Sequence, residues 1–298
     1  MAEGNVTTTP LSSPEKTKVL NLDKYILCIF DMETTTLFPN CELIQISAIS
    51  YGRSTSPFNV YILPNGNIPQ THVTGISKRR GKLYDKNSIE ISSVRVEEGL
   101  KRFVEWIAFF GKKIVLIAHN AKQFDVKHIM LTMKEHNQLE NFEKVVAGFV
   151  DTLPLFKARS RESCSLNNLY EKHVGNTFDH HNSLADCQAL KKILLNASVD
   201  TTELENHSFT FKYAREYYEF LLDINLIKST YTNCLRAGAI TTYMVEKVAL
   251  AGIRYGDMVA IYQREGGEGL KKLLTGGVEN IPFVTKDKKV IQKLANHL

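Results

Sequence analysis

The sequence predicts an α/β protein, a mixed sheet covered by helices, with a smaller all-helical module behind it. Three observations carry this. Residues 25–30 (YILCIF) and 114–118 (IVLIA) are continuous apolar runs, as strands buried on both faces require. Segments with apolar residues at helical spacing alternate with such runs up to residue 196. After Asn196 the strand texture stops and helix-compatible patterning continues to the end.

The elements follow in order. Residues 1–22 are rich in Thr, Ser, Pro and Glu and read as a flexible tail. The run at 25–30 reads as the first strand, although periodicity alone also admits a short buried helix. Apolar stretches at 43–49 and 58–63, separated by Pro, Asn and Gly, complete a strand meander. Residues 96–110 place Leu100, Phe103, Val104 and Ile107 on one face, with Glu97, Glu98 and Glu105 between them, as an amphipathic helix does. A strand at 114–118, a helix at 126–133, a short strand at 149–151 and helices at 165–170 and 182–195 follow. That makes five strands in one domain, 23–197. Residues 198–205 read as a linker or helix start. Helical segments at 211–227, 233–250 and 259–274 form the module, 198–298.

Composition sets the outer bounds. A chain of 298 residues is long enough for a medium domain and a smaller one. Its 43% hydrophobic and 23% charged residues exclude wholesale disorder. Lys and Arg number 37 against 32 Asp and Glu, a net charge of +5 that permits a polyanionic partner and excludes a histone-like or strongly acidic chain. The 5 cysteines are odd in number and form no CxxC pair, so reduced thiols in the cytoplasm or nucleus are expected. The N-terminus lacks the apolar core of a signal peptide, and no apolar run approaches the ~20 residues that span a bilayer. The chain is therefore expected to be neither secreted nor membrane-spanning.

Three short motifs carry the chemistry. Asp31 and Glu33 end the first apolar strand, two residues apart and so on one face. Paired carboxylates there repel unless a cation lies between them, and hard oxygen ligands suit Mg²⁺ or Mn²⁺. The bland alternative is two strand-end acids facing water. Asp125, in His119-Asn120-Ala121-Lys122-Gln123-Phe124-Asp125, stands at a helix start just past the 114–118 strand, where a cap is the bland alternative and does not exclude metal contact. His181 and Asp186 are five apart, the His in a loop and the Asp inside the next helix. A surface His near a helical Asp is the alternative there.

Taken in order, DxET at a strand end, HNxxxFD after a later strand and HxxxxD on a late helix resemble the DEDDh exonucleases, over roughly residues 23–197. Asp31, Glu33, Asp125, His181 and Asp186 fill the motif, and Asp151 stands where many relatives carry an Asp after the fifth strand. Residues 148–155, 165–169 (SLNNL) and 269–272 (GLKK) further resemble the exonuclease-type domain of the promyelocytic leukaemia protein (PML) and the PML-like exon 9 exonucleases. One departure is Thr36, where relatives commonly carry Gly.

The resemblance implies an RNase H-like fold and a metal-dependent 3′-5′ exonuclease that releases nucleoside 5′-monophosphates. Asp31, Glu33, Asp125 and Asp186 are implied to hold two Mg²⁺ ions about 3.5–4 Å apart, with Mn²⁺ able to substitute. His181 is the implied general base. His180 competes with it, and the four-residue interval to the Asp decides for His181. Met32 and Thr34 are expected near the terminal nucleotide, Leu37 as an apolar wedge on its base, and His119, Asn120 and His72 around it. For His72, a loop-packing role weighs as much. Lys78, Arg79 and Arg80, with Lys82, form a basic run suited to phosphates. Lys271 and Lys272 are a weaker second patch. DNA is favoured over RNA on the resemblance alone. The rival from another class is a noncatalytic nucleic-acid or protein-binding module like the PML domain, and the complete set of carboxylates and His argues against it.

Overall fold

The computed structural model of the chain describes residues 10–15, 19–36, 41–69, 71–178, 180–276 and 284–298. A turn of 3-10 helix at Leu22–Lys24 leads into β1 (Ile26–Thr34), β2 (Leu43–Ser50) and β3 (Phe58–Ile62), which form the expected antiparallel meander. A short helix α1 (Thr71–Thr74) precedes a small separate sheet of β4 (Ser77–Arg79), β5 (Lys82–Tyr84) and β6 (Glu90–Ile91), and then β7 (Ser93–Val94). The alternating part comprises α2 (Val96–Ala108), β8 (Ile114–Ala118), α3 (Asp125–Glu135), α4 (Leu139–Val145), β9 (Val146–Asp151), α5 (Thr152–Arg159), α6 (Leu166–Val174), α7 (Ser183–Asn196), α8 (Thr201–Asn206) and β10 (Ser208–Thr210). Among the described residues beyond β10, the elements are all helices: α9 (Phe211–Ser229), α10 (Thr232–Arg236), α11 (Thr242–Leu250), α12 (Tyr255–Thr275) and α13 (Lys288–Ala295).

The main sheet has seven strands in the order β10-β9-β8-β1-β2-β3-β7. Its five central members, β9-β8-β1-β2-β3, are the expected RNase H-like mixed sheet, with β1, β8 and β9 parallel and β2 and β3 antiparallel to their neighbours. β7 and β10 extend it at the two edges, beyond the five strands expected. The edge at β10 depends on Gly148, because a Cβ there would stand 2.3 Å from the carbonyl oxygen of Phe209. β8 is buried at every position, as its apolar run requires of a central strand. On α2, Leu100, Phe103 and Ile107 are the buried face that the spacing predicted.

The chain divides into two compact units, residues 16–215 and residues 216–298 together with 1–15. The first unit therefore extends past the boundary expected at residue 197, because Phe209 and Phe211 pack on Phe149 beside the sheet. Described residues within the span 1–22, expected as a tail, are packed. Leu20 and Leu22 are buried in the first unit's core, and the Leu20 amide donates to Ser208 Oγ (2.9 Å). Leu11 packs on the core of the second unit and donates its amide to the Leu250 carbonyl (2.8 Å). At the centre of that core lies Tyr231, fully buried, its hydroxyl donating to the Ile253 carbonyl (2.8 Å). No helix among the described residues is long and apolar enough to cross a membrane.

Candidate active site

The site forms where β1 ends. Asp31 and Glu33 alternate with buried Met32 and Thr34, so both acids project to one face. Asp186 reaches that face from the first turn of α7, whose start is fixed by Asn182: its side chain accepts from the Ala185 amide (3.3 Å), and its carbonyl accepts from the Asp186 amide (2.9 Å). One oxygen from each of Asp31, Glu33 and Asp186 lies within 4.8 Å of the other two. Asp125, at the first position of α3, is 1% exposed, and its Oδ1 has no hydrogen-bond partner. It is thus not simply a cap.

The electrostatics follow from burying like charges together. Burial, then the neighbouring Asp125, Asp186 and Glu33, pushes Asp31 well above the usual carboxylate range. Burial and Asp186 push Glu33 up to about 8. Asp125 is raised chiefly by burial and further by Asp151 and Glu33, against the backbone amides of Asp125 itself and Met32. A buried carboxylate oxygen without a donor, beside three more carboxylates, is a costly arrangement that a divalent cation would relieve. The donor set, all hard oxygens, matches Mg²⁺ or Mn²⁺.

A cleft of about 360 Å³ opens over these acids. Asp31, Met32, Glu33, Thr34, Thr36, His119, His180, His181 and Asp186 all line it. Both His180 and His181 are exposed, with ring centroids 4.5 Å apart, and His181 is in the left-handed region at φ 65°. Partial desolvation of its ring by the cleft, and then the adjacent His180, lower the pKa of His181. At neutral pH the ring therefore keeps a free lone pair.

Other expected residues lie differently. His119 lines the cleft, but its Nε2 donates to the Cys164 carbonyl (2.7 Å) and its Nδ1 pairs with Thr152 Oγ1 (2.9 Å). It thus stands in the cleft wall, beside the acids as its motif position implies, and there anchors the segment leading to Ser165. Asn120, at φ 62°, turns the chain between β8 and α3 and is absent from the cleft lining. Lys78 is also not free for phosphate: its Nζ donates to the carbonyls of Pro64, Asn65 and Gly66 (2.7, 2.8 and 3.1 Å). Arg79 lies over the Tyr84 ring and Arg80 at the β4–β5 turn, both exposed and outside the cleft lining. Lys82 pairs with Glu90 and Lys271 with Glu268. Leu37 and the His72 side chain lie outside the described residues. Asp151 caps α5, accepting from the Leu153 and Lys122 amides (both 3.0 Å).

The cleft also holds residues that the motif reading did not single out: Val73, Thr74, Phe124, Ser165, Leu166 and Asn167. The signal was in part visible, since Phe124 sits inside HNxxxFD and the other wall is the SLNN start of α6.

Comparison with known proteins places these features. A family model described as exonuclease matches residues 28–194, and one described as the C-terminal domain of PML matches residues 228–298. The chain is 27% identical over 196 residues to the maternal protein exuperantia of Drosophila virilis, covering 61% of this chain and 36% of that protein. The chain thus spans little more than a third of that curated relative. Among solved structures, Exonuclease X in complex with 5′ overhanging duplex DNA overlaps at a TM-score of 0.39 and 16% identity, over 60% of this chain and 98% of that one. E. coli Exonuclease I in complex with a dA16 oligonucleotide overlaps at 0.47 and 15%, over 61% and 42%.

Proposed function

The chain belongs to the exonuclease family, its model matching residues 28–194, and on that premise we propose that it is a metal-dependent 3′-5′ exonuclease of the DEDDh type acting on DNA. The observation that carries the reading is the convergence of Asp31, Glu33 and Asp186 oxygens within 4.8 Å, beside the unpartnered Oδ1 of Asp125. These four residues would hold two Mg²⁺ ions, or Mn²⁺ in their place. Bound there, the cations would stabilise charge on the attacking and leaving oxygens of a phosphodiester and lower the pKa of a bound water.

The remaining steps belong to the protein. The cleft admits the end of a strand, with Phe124, Leu166 and Val73 as apolar surface for sugar and base. His181 takes the proton of the attacking water on a ring nitrogen, which its lowered pKa leaves unprotonated near neutral pH. His180, its ring tilted against that of His181 at 4.5 Å, contacts solvent or the departing nucleotide in this reading. The exposed Arg79 and Arg80 supply sequence-independent attraction for the backbone beyond the cleft. Five free cysteines suit a reducing compartment, the cytoplasm or nucleus.

The second reading, a binding module without catalysis, draws on the match of residues 228–298 to the C-terminal domain of PML. Retention of all four carboxylates and the histidine favours the enzyme. The test is incubation with 5′-end-labelled single-stranded DNA, duplex DNA and RNA in Mg²⁺ and in EDTA. A ladder shortened from the 3′ end, in Mg²⁺ only and strongest on DNA, is expected. Binding without shortening would favour the module.

A further inference from the structure

We infer that Gln45, acting with Ser47 and Ser183, is a positioning residue for hydrolysis: it fixes the first turn of α7, and with it His181 and Asp186, against the strand that carries Asp31 and Glu33. The inference rests on the exonuclease reading above.

The register of the sheet sets this up. Across the antiparallel β1–β2 pair, Asp31 stands opposite Ser47 and Glu33 opposite Gln45. Across β2–β3, Ser47 stands opposite Asn59 and Gln45 opposite Tyr61. Cross-strand partners share a face, so two polar rows run outward from the two acids. The start of α7 lies on those rows. The Ser183 amide donates to Gln45 Oε1 (3.2 Å), Ser183 Oγ meets Ser47 Oγ (2.6 Å), and Asn182 Nδ2 donates to the Tyr61 hydroxyl (3.3 Å).

The donors and acceptors close without conflict. Gln45 Nε2 and Ser47 Oγ both donate to Asn59 Oδ1 (3.0 Å each), which leaves Ser47 Oγ to accept from the Ser183 hydroxyl. Ser183 is the first residue of α7, and its amide is one that the helix itself cannot satisfy. Gln45, Ser47 and Ser183 are each 0% exposed. An aliphatic side chain at position 45 would fill the same volume but leave the buried Ser183 amide without its acceptor. What the Gln45 amide adds is direction: it holds one helix terminus at one height on the sheet. Asp186 lies three residues beyond Ser183 and His181 two before it, so a slip of this terminus displaces both together.

The test compares wild type with Gln45→Leu, which keeps the bulk and deletes both hydrogen bonds, and with Ile193→Val, which loosens the buried far part of α7. Three quantities are read: melting temperature, kcat and KM on single-stranded DNA, and Mn²⁺ affinity by calorimetry. Gln45→Leu is expected to lower kcat on the order of ten- to a hundredfold with KM within about twofold, because ~1 Å of misplacement costs that much. Its Mn²⁺ affinity falls as well. Ile193→Val lowers the melting temperature and leaves kcat and Mn²⁺ affinity unchanged. If Gln45→Leu does not fold, Ser47→Ala removes a single hydroxyl and should shift kcat and Mn²⁺ affinity in the same direction. Wild-type kcat and Mn²⁺ affinity in the Gln45 variant, or equal losses in Ile193→Val, would overturn the assignment. If the wild type hydrolyses no nucleic acid, the exonuclease reading fails, and Mn²⁺ affinity alone decides the role of Gln45.

Discussion

Asp125, at the start of α3, stands close enough to Asp31, at the end of β1, that its charge joins burial in pushing the Asp31 carboxyl well above the usual carboxylate range. Two acids from elements far apart in sequence thus meet in a buried site with two further acids. The metal-free protein carries that repulsion as a cost to its stability, and relief by a divalent cation is the simplest reason for the fold to keep it.

Asp31→Asn is therefore expected to abolish hydrolysis and to raise, or leave unchanged, the melting temperature of the metal-free protein. Mg²⁺ should raise the melting temperature of the wild type, since it binds only the folded state, and should not raise that of the variant. Thermal melts with and without Mg²⁺ check this. A metal-free variant melting well below wild type would place Asp31 in a stabilising role.

The pH dependence of the metal-free protein has a definite sign. Glu33 is raised from 4.5 to about 8 in the folded state, so the folded protein holds a proton that the unfolded chain has released between those values. This contribution is present at low pH and is lost as pH rises through about 8. Buried His128, lowered to about 4 by burial and Lys127, acts oppositely, but only below 6.5. Between pH 6.5 and 8.5 the melting temperature of the metal-free protein should therefore fall, by roughly 2–4 °C for each kcal/mol lost. Glu33→Gln or saturating Mg²⁺ should flatten the decline, and a rise with pH over this window would contradict the account.

His181→Ala should reduce kcat by about 10²–10⁴-fold, the usual worth of a general base. Mn²⁺ affinity should change little, because the imidazole takes a proton and does not ligate. His180→Ala should cost much less. If the two effects are reversed, the base is His180.

Truncation distinguishes the expected domain boundary from the observed one. A chain ending at Leu195 lacks β10, Phe209 and Phe211, and so exposes Phe149 and the β9 edge. It should aggregate. A chain ending at Arg215 keeps the whole first unit and should stay soluble with its Mn²⁺ affinity intact, as size-exclusion chromatography and calorimetry would show.

Much of the fold was legible because central strands must be apolar on both faces, and 25–30 and 114–118 are. β10 was not, since three residues of mixed character form a strand only when Gly148 lets them approach β9. The acids were legible from their spacing at strand and helix ends. The role of Lys78 was not, because a Lys inside a basic run gives no sign that three carbonyls of a distant loop will claim it. Gln45 and Ser47 were hidden in a stretch read simply as an apolar strand, since their function lies in a register and a helix terminus that only the folded chain brings together.

The first product released from a DNA strand with a distinguishable 3′-terminal nucleotide separates metal-dependent 3′-5′ hydrolysis from every alternative. With Mg²⁺, wild type should release that nucleotide first, as a 5′-monophosphate, and neither EDTA-treated protein nor Asp31→Asn should release it. Release from the 5′ end, a 3′-monophosphate product, or equal activity in EDTA would contradict the account.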